Sequence, residues 1–237
     1  MLRAVLFDWG HTLMDFVWDD DYVAAGIRAG LAAVGAPAEA AEAVTTRYAA
    51  EARLHDWEVP EEVEYAPLVR AMLSEVGVDL HDDQLDIYLQ AEHEAWAPAR
   101  RPTALSQSLL DAIHERRLMT GLVSNTWESR RLLLSDLDEQ GLRTRLDAIV
   151  FSSDLGVRKP RPEIFGRALD ELAVEPQDAL FVGDRLGADI QGARGVGMRT
   201  VQAMWYRAEE ADGIEPDFRA FTHFDVLNIV RRLVGEV

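Results

Sequence analysis

The chain has 237 residues, of which 48% are hydrophobic and 28% charged, the balance of an ordinary globular protein. Its formal net charge of −18 argues against nucleic acid as a partner, because duplex binding depends on Lys and Arg side chains that neutralise phosphates. It contains no cysteine, which excludes disulfides, thiolate nucleophiles and zinc–thiolate sites. No apolar run reaches the roughly 18 residues of a membrane span. The N-terminal apolar run meets Asp8 at once, unlike a signal peptide, so a cytoplasmic location is the default expectation.

The first stretch of the chain predicts a buried strand followed by a helical insert. Leu2–Phe7 is a short apolar run closed by a loop that contains Gly10. From about residue 16 to residue 99 strand-like runs disappear and helical patterns dominate. The predicted helices follow Asp19–Asp21, run from Ala38 to about His55, follow Pro60–Glu62 to Val76, and span about Asp82–Ala95. We therefore predict a helical cap domain at residues 16–99, inserted into a core domain of residues 1–15 and 100–237.

Beyond a linker bracketed by Pro98 and Pro102, strands and helices alternate. The helices are predicted near residues 104–117, 129–139, 162–172, 188–194 and 224–234, and the strands at 118–124, 148–151, 179–182 and 199–203. Strands that alternate with helices of this length imply a parallel sheet covered on both faces. The predicted fold class is α/β, a doubly wound parallel sheet with a Rossmann-like core and an inserted all-helical cap.

Polar side chains come after four of these predicted strands. In an open α/β sheet ligands bind beyond the carboxyl ends of the strands, so these residues are expected to meet at one edge. They are Asp8, then Ser124 with Asn125, then Lys159, then Asp184 with Asp189 five residues later. Carboxylate oxygens suit Mg²⁺, and hydroxyl and ammonium groups suit phosphoryl oxygens, so the set matches metal-assisted phosphoryl transfer.

Lys159 is the only lysine, since the other basic residues are all arginine. A lone lysine before a proline is usually a surface residue. Here the one ammonium comes after a predicted strand, and a compact point charge can lie between a carboxylate and a phosphate where the planar fork of arginine does not fit. This favours a functional position for Lys159.

Taken together, these segments resemble the haloacid dehalogenase-like superfamily, whose four signatures occur in this order. The resemblance rests on Asp8–Leu13, Ser124-Asn125, Lys159-Pro160 and, most specifically, the segment Leu180–Ala193. Any one of these segments alone is a weak signal, whereas their combination is specific. The helical insert lies where the family has its type 1 cap, so the resemblance covers the whole chain.

The resemblance implies a role for each of these residues. Asp8 would be the nucleophile, and Ser124, Asn125 and Lys159 would hold the phosphoryl group. Mg²⁺ would be bound by Asp8, the Gly10 carbonyl and Asp184, with Asp189 supporting them from behind. The alternatives are that Asp8 merely ends a strand, that Ser124 caps the next helix, and that Asp184 and Asp189 are carboxylates at a helix start.

One position departs from the family's phosphatase pattern. Those enzymes carry a second Asp two residues after the nucleophile, which protonates the leaving oxygen and then activates water, whereas this chain has Gly10. General acid–base help is worth roughly 10²–10⁴-fold in rate. His11 could substitute, or it could simply fill a loop position that is usually glycine. The family's metal-independent dehalogenases are disfavoured because they lack the pairing seen at Gly183-Asp184.

Two functions are expected from these residues. The first is a Mg²⁺-dependent hydrolase, a phosphatase acting on a small phosphorylated metabolite through an aspartyl phosphate on Asp8. The second is a protein of the same fold that binds Mg²⁺ and a phosphorylated ligand but turns over poorly, as a binding or regulatory module. The sequence alone assigns no substrate contact to Trp9, Trp18, Trp57 or Trp96. The glycines of Gly192–Gly197 predict a helix end rather than a dinucleotide-binding loop.

Overall fold

A computed structural model describes residues 1–17, 19–51, 62–210 and 213–236 of the protein. Its main sheet is parallel throughout, with β1 at the centre between β4 and β6, in the order β5-β4-β1-β6-β7-β8. These strands are β1 (Ala4–Phe7), β4 (Met119–Ser124), β5 (Ala148–Phe151), β6 (Ala179–Gly183), β7 (Arg199–Ala203) and β8 (Phe218–Ala220). The predicted doubly wound α/β fold is thereby confirmed.

Both faces of the sheet are buried, which is why β1 is apolar at every position. Val5 and Phe7 belong to one apolar cluster, whereas Ala4 and Leu6 belong to the cluster on the other side. This alternation is the period of two expected of a strand. The helices that cover the two faces are α5 (Ala104–His114), α6 (Arg130–Glu139), α7 (Ser152–Leu155), α8 (Pro162–Leu172), α9 (Gly192–Gly195) and α10 (His223–Val234).

Local signals in the sequence explain where several helices begin and end. Thr103 and Thr222 accept hydrogen bonds from backbone amides in the first turns of α5 and α10. Pro162 occupies the first turn of α8, where its missing N–H costs nothing. Gly235 ends α10 with a φ of 82°, a left-handed conformation that favours glycine.

The predicted helix near residues 188–194 differs from what is observed. Leu186–Gln191 forms a turn of π-helix, and the short α9 comes directly after it. A π-helical turn has a wider backbone spacing than the helical pattern assumes, so periodicity does not reveal it. Gly197 turns the chain after α9 with a φ of 94°, as expected of a helix end.

In the described part of residues 16–99, four α-helices are present. They are α1 (Asp20–Ala33), α2 (Ala40–Ala49), α3 (Tyr65–Glu75) and α4 (Asp82–Ala95). The Asp19 side chain accepts from the Asp21 amide and caps α1, in keeping with the predicted acidic start. The parts of the predicted second and third helices at residues 52–61 lie outside the described residues.

The insert is joined to the core by two short antiparallel strands that no sequence pattern predicted. Strand β2 (Met14–Phe16) pairs with β3 (Arg100–Pro102), with Phe16 opposite Arg100. The chain therefore leaves the core and returns to it at adjacent points. The predicted domain boundaries fall at this pair, and the division into two domains stays a prediction. In the described part of the chain no helix is long and apolar enough to cross a membrane.

Candidate active site

The carboxyl ends of β4, β1 and β6 lie side by side, which brings the residues after them to one edge of the sheet. Asp8, Ser124 and Asp184 line a single cavity of about 470 Å³ there. The same cavity is lined by the other residues singled out from the sequence: Gly10, His11, Asn125, Lys159 and Asp189. The structure thus brings every candidate residue into one site.

Lys159 is the centre of this site. Its ammonium is buried, 2.5 Å from Asp8 Oδ1 and 2.8 Å from Asp189 Oδ1, and it donates to the Val123 carbonyl at 2.9 Å. Burial lowers the pKa of Lys159, but the charges of Asp189 and Asp8 outweigh it and raise that pKa above its usual value. Lys159 therefore stays charged and fixes one oxygen of Asp8.

Asn125 contacts Lys159 through both ends of its side-chain amide. Its Oδ1 accepts from the Lys159 backbone N–H at 2.8 Å, and its Nδ2 donates to the Lys159 carbonyl at 3.1 Å. The amide therefore holds the backbone that carries the ammonium. Direct phosphate binding by Asn125 stays a prediction.

Gly183, the residue before Asp184, lies very close to the side chain of Asp189. A Cβ at Gly183 would lie 2.5 Å from the Asp189 carboxylate, so only glycine fits at the end of β6. The Asp189 Oδ2 accepts from the Arg185 backbone N–H at 2.9 Å, which fixes the acid from the π-helical turn. Burial, together with the charges of Asp8 and Asp189, raises the pKa of Asp184 to about 8.

These carboxylates form a group suited to a cation. Asp8, Asp184 and Asp189 each offer an oxygen, and the three oxygens lie within 4.8 Å of one another. Asp184 Oδ2 is buried and has no hydrogen-bond partner among the described residues. Burial and the charges of Asp8 and Asp189 raise the pKa of Asp184 even though Arg207 lies 2.6 Å from its Oδ2, so a further cation would be favourable among these carboxylates. An all-oxygen donor set of this kind fits a hard divalent cation.

Gly10 and His11 lie on the loop after β1 and line the same cavity as the three carboxylates. A Cβ on Gly10 would meet nothing closer than Phe16 Cβ at 3.9 Å among the described residues, so a side chain is sterically admissible there. His11 is half-buried, has a φ of 57°, and its Nδ1 is 3.5 Å from Asp15 Oδ1. Burial, with the nearby charge of Arg207, lowers the pKa of His11 below its usual value.

The cavity is also lined by residues that no sequence motif indicated: Arg100, Trp127, Glu128 and Asp136. His93 Nδ1 lies 2.6 Å from Glu128 Oε1 and His93 Nε2 lies 3.2 Å from Asp136 Oδ1. Arg100 Nε lies 3.1 Å from Asp136 Oδ2, and the ring centres of Trp127 and Tyr65 of α3 are 6.1 Å apart, with the ring planes tilted by 36°. These contacts join α4 and β3 to Glu128 and Asp136, which lie 35 and 43 residues beyond His93, so no short motif indicates them.

Arg207 is another cavity-lining residue that no sequence motif indicated. Its Nη2 lies 2.6 Å from Asp184 Oδ2, inside the same cavity. It lies four residues beyond the end of β7, the strand next to β6. The strand-end rule that exposed the other site residues would have found Arg207 had it been applied to β7 as well.

The tryptophans considered from the sequence have different fates. Trp9 is buried against Phe151, with ring centres 6.0 Å apart, and its Nε1 donates to Gln140 Oε1 at 3.0 Å. Trp96 is buried in the apolar cluster of the insert. Trp18 and Trp57 lie outside the described residues.

Fold and site together define a class: a doubly wound α/β protein with an inserted helical segment, whose strand ends gather carboxylates around one buried ammonium. A sequence profile described as haloacid dehalogenase-like hydrolase matches residues 2–197. The chain belongs to this family.

Individual relatives are more distant. A glyceraldehyde 3-phosphate phosphatase of Methanopyrus kandleri is 35% identical over 121 residues, 49% of this chain and 49% of its own length. The match thus spans about half of that relative. A pyrophosphatase PpaX of Bacillus pumilus is 30% identical over 66% of this chain and 72% of its own length.

Solved structures share the fold at low identity. A phosphatase of this family from Thermococcus onnurineus has a TM-score of 0.64 at 21% identity and covers 99% of both chains. A 2-haloacid dehalogenase from Pseudomonas syringae has a TM-score of 0.65 at 23% identity, covering 98% of this chain and 100% of its own. Since phosphatase and dehalogenase share the fold equally, the fold does not choose between the two reactions.

Proposed function

We propose that the protein is a Mg²⁺-dependent phosphatase that acts on a small phosphorylated metabolite through an aspartyl phosphate on Asp8. The observation that carries this proposal is the contact of the Lys159 ammonium with both Asp8 and Asp189, beside the carboxylate of Asp184. The carboxylates of Asp8, Asp184 and Asp189 repel an anion. A phosphoryl group can therefore bind beside them only when a further positive charge is present. A divalent cation and a phosphoryl group supply matching charges.

Each residue has a step to perform. An oxygen of Asp8 forms a bond to phosphorus while the bond from phosphorus to the leaving oxygen breaks, and the leaving oxygen takes up a proton. Water then attacks the acyl phosphate, which releases inorganic phosphate and restores Asp8. Lys159 and Ser124 hold the phosphoryl oxygens, and Lys159 also orients Asp8. Mg²⁺, held by Asp8, the Gly10 carbonyl and Asp184, would neutralise charge on the phosphoryl group.

Other features agree with this substrate class. Several relatives carry names of phosphatases for small molecules, among them glyceraldehyde 3-phosphate, phosphoglycolate and pyrophosphate. The cavity volume of about 470 Å³ suits a metabolite rather than a polymer. The Gly183-Asp184 pairing favours the phosphatase reaction over metal-independent dehalogenation.

The test is release of phosphate from a generic aryl phosphate and from a panel of phosphorylated metabolites, with and without Mg²⁺. We expect Mg²⁺-dependent turnover, and Asp8→Asn should lower kcat by roughly 10³-fold or more because it removes the nucleophile. Asp138→Asn changes an exposed carboxylate on α6 and serves as the matched control. Equal rates for Asp8→Asn and Asp138→Asn would reject the proposal.

A second candidate function rests on Gly10. Without a carboxylate at this position the chain would bind Mg²⁺ and a phosphorylated ligand yet hydrolyse the aspartyl phosphate slowly, as a binding or regulatory module. An activated aryl phosphate would then give a burst of product and afterwards a slow steady state. Gly10→Asp, for which there is room, should raise the steady-state rate by roughly 10²-fold or more if the acid–base role is empty. No burst and no gain would reject the candidate.

A further inference from the structure

Arg207 contacts a carboxylate that the proposed function assigns to a metal. Its Nη2 is 2.6 Å from Asp184 Oδ2, and its side chain is 30% exposed, so the guanidinium borders the open cavity. Arg207 belongs to the loop between β7 and β8, not to any of the four segments that carry the family resemblance. Its position therefore calls for its own explanation.

The loop on both sides of Arg207 is fastened to the site. Trp205 Nε1 donates to the Thr12 carbonyl at 3.1 Å, which joins the loop to the segment after Asp8. Gln202 Nε2 donates to the Glu209 carbonyl at 2.7 Å, and the Glu209 carboxylate accepts from the Leu186 N–H beside Asp184. Arg207 thus lies between two hydrogen-bonded residues, Trp205 and Glu209, and its side chain reaches Asp184.

The contact between Arg207 and Asp184 lacks the hydrogen-bond geometry of a fixed ion pair. Arg207 Nη2 and Asp184 Oδ2 are at ionic distance, yet neither atom has a partner with hydrogen-bond geometry among the described residues, and the same holds for Arg207 Nε. Arginine–carboxylate pairs frequently form two parallel hydrogen bonds, which add geometric specificity to the contact. Here the arginine supplies charge without that fit.

Charge balance indicates what replaces it. Asp8, Asp184 and Asp189 face the Lys159 ammonium and the Arg207 guanidinium, and Arg185 lines the same cavity. A divalent cation among the carboxylates would overcompensate them, and the guanidinium would then be repelled from Asp184. Its nearest favourable partner would be an anion held in the same cavity, for which arginine is well suited.

We propose that Arg207 is an exchangeable counter-ion, which pairs with Asp184 in the metal-free protein and with a phosphoryl oxygen of the substrate once Mg²⁺ is bound. This inference rests on the proposed function, since it assumes that Mg²⁺ and a phosphoryl group share the site. It adds a residue that selects for the phosphoryl group and that links metal binding to substrate binding. By linkage, each ligand then strengthens the binding of the other.

The test measures binding, without turnover. Mg²⁺ alone, and inorganic phosphate at saturating Mg²⁺, are titrated by calorimetry into wild type, Arg207→Gln and Arg207→Lys. Arg207→Gln should bind Mg²⁺ roughly 3- to 10-fold more tightly, because a competing cation is gone, and phosphate roughly 10-fold more weakly. Arg207→Lys should fall between the two, since it keeps the charge and loses the fork.

Arg185→Gln is the control for charge at longer range. Arg185 lines the same cavity and its charge also acts on Asp184, but the guanidinium in ionic contact with Oδ2 is that of Arg207. It should change both affinities by much less than Arg207→Gln. Equal effects of the two variants would overturn the inference.

Two further outcomes would also overturn it. Tighter Mg²⁺ binding with unchanged phosphate affinity would make Arg207 a counter-ion only, and weaker binding of both ligands would make it a structural support. The failure of the proposed function is distinguishable from these. A wild type that shows the expected coupling but releases no phosphate from any ester would reject the phosphatase and retain the role of Arg207.

Discussion

His11 adopts a backbone conformation that costs energy. Its φ of 57° is left-handed, a region that disfavours residues with a Cβ, although histidine enters it more often than most. Its Nδ1 is buried and has no hydrogen-bond partner among the described residues. Two unfavourable features in one cavity-lining side chain are expected where the side chain serves function rather than stability.

We therefore predict opposite effects of His11→Gly on stability and on activity. Glycine should relieve the left-handed strain and raise the free energy of unfolding by about 1 kcal/mol. If His11 moves protons in the reaction, the same change should lower kcat by roughly 10²-fold or more. Chemical denaturation and steady-state kinetics on the same preparations give both numbers.

His11→Ala is the companion variant, because it removes the imidazole but keeps the strain. It should lose activity as His11→Gly does without the gain in stability. Stabilisation by glycine with full activity in both variants would show that His11 only fills a loop position.

The site residues that follow the carboxyl ends of strands could be predicted from the sequence, because ligands bind at that edge of a parallel sheet. Asp8, Ser124, Lys159 and Asp184 all come after strands, and the parallel sheet brings them together. The use made of Asn125 was not predictable, because its bonds go to the backbone of a residue 34 positions away. Arg100 and Glu128 escaped because their partners lie on other elements.

Among the elements, α1 and α4 come unusually close. A Cβ on Gly30 would lie 2.6 Å from the Tyr88 ring, and a Cβ on Gly26 would clash with the Trp96 indole. Tyr88 and Trp96 are both buried, so neither ring has room to move away. Two glycines one helical turn apart on α1 therefore set the distance between these helices.

Gly30→Ala should destabilise the protein by about 1–3 kcal/mol, because overpacking against Tyr88 exceeds the gain in helix propensity. Gly166→Ala is the matched control on α8, where the added methyl would meet nothing within 4 Å among the described residues. It should stabilise by up to about 1 kcal/mol. Thermal or denaturant unfolding of both variants measures the difference, and two effects of the same sign would refute the close approach.

The sequence predicted the bounds of several elements that have a clear apolar run or helical periodicity, and it did not predict the strands of three residues. The bounds of β5, β7, α4 and α8 are those expected from apolar runs and helical periodicity. Strands β2, β3 and β8 have three residues each, too few for an alternation to stand out. Their pairing is decided by tertiary partners that the local sequence does not contain.

At the scale of the whole molecule, we propose that residues 16–99 form a separate cap domain. The insert has its own cluster of buried apolar residues, distinct from the clusters on the two faces of the sheet. It meets the core through the contacts of His93 on α4 with Glu128 and Asp136 and through Trp127, a core residue packed into the apolar cluster of the insert.

These contacts should make stability depend on pH. Burial lowers the pKa of His93, but hydrogen bonds to Asp136 and Glu128 and the charge of Glu128 outweigh burial and raise it from 6.5 to about 9. The folded state thus binds an extra proton between these values. Its stabilising contribution is complete below pH 6.5 and is lost as the pH rises through 9.

Two neighbouring charges complete this account. Arg100 opposes the protonation of His93, and burial raises the pKa of Glu92 to about 8, so Glu92 also removes stability as the pH rises, between 4.5 and 8. We predict that wild type loses melting temperature between pH 6.5 and 9, and that His93→Gln removes roughly 5 °C of that loss. Differential scanning calorimetry across this range measures it.

His223 provides the control of opposite sign. Burial lowers its pKa from 6.5 to about 4, so its contribution to stability is present above pH 6.5 and is lost as the pH falls through 4. His223→Gln should alter only the acid side of the profile. An alkaline slope unchanged by His93→Gln would contradict the assignment of that slope to the junction between insert and core.

The pairing of Phe16 with Arg100 has a consequence for how such a protein can change over evolutionary time. Because the two ends of the insert are hydrogen-bonded neighbours, the sheet is indifferent to the length and content of what lies between them. A tight two-residue turn would close the same ribbon, and so would a larger module. One contiguous piece of the gene can therefore be exchanged without disturbing the core. A new specificity can be acquired in this way while the carboxylates and the ammonium stay in place.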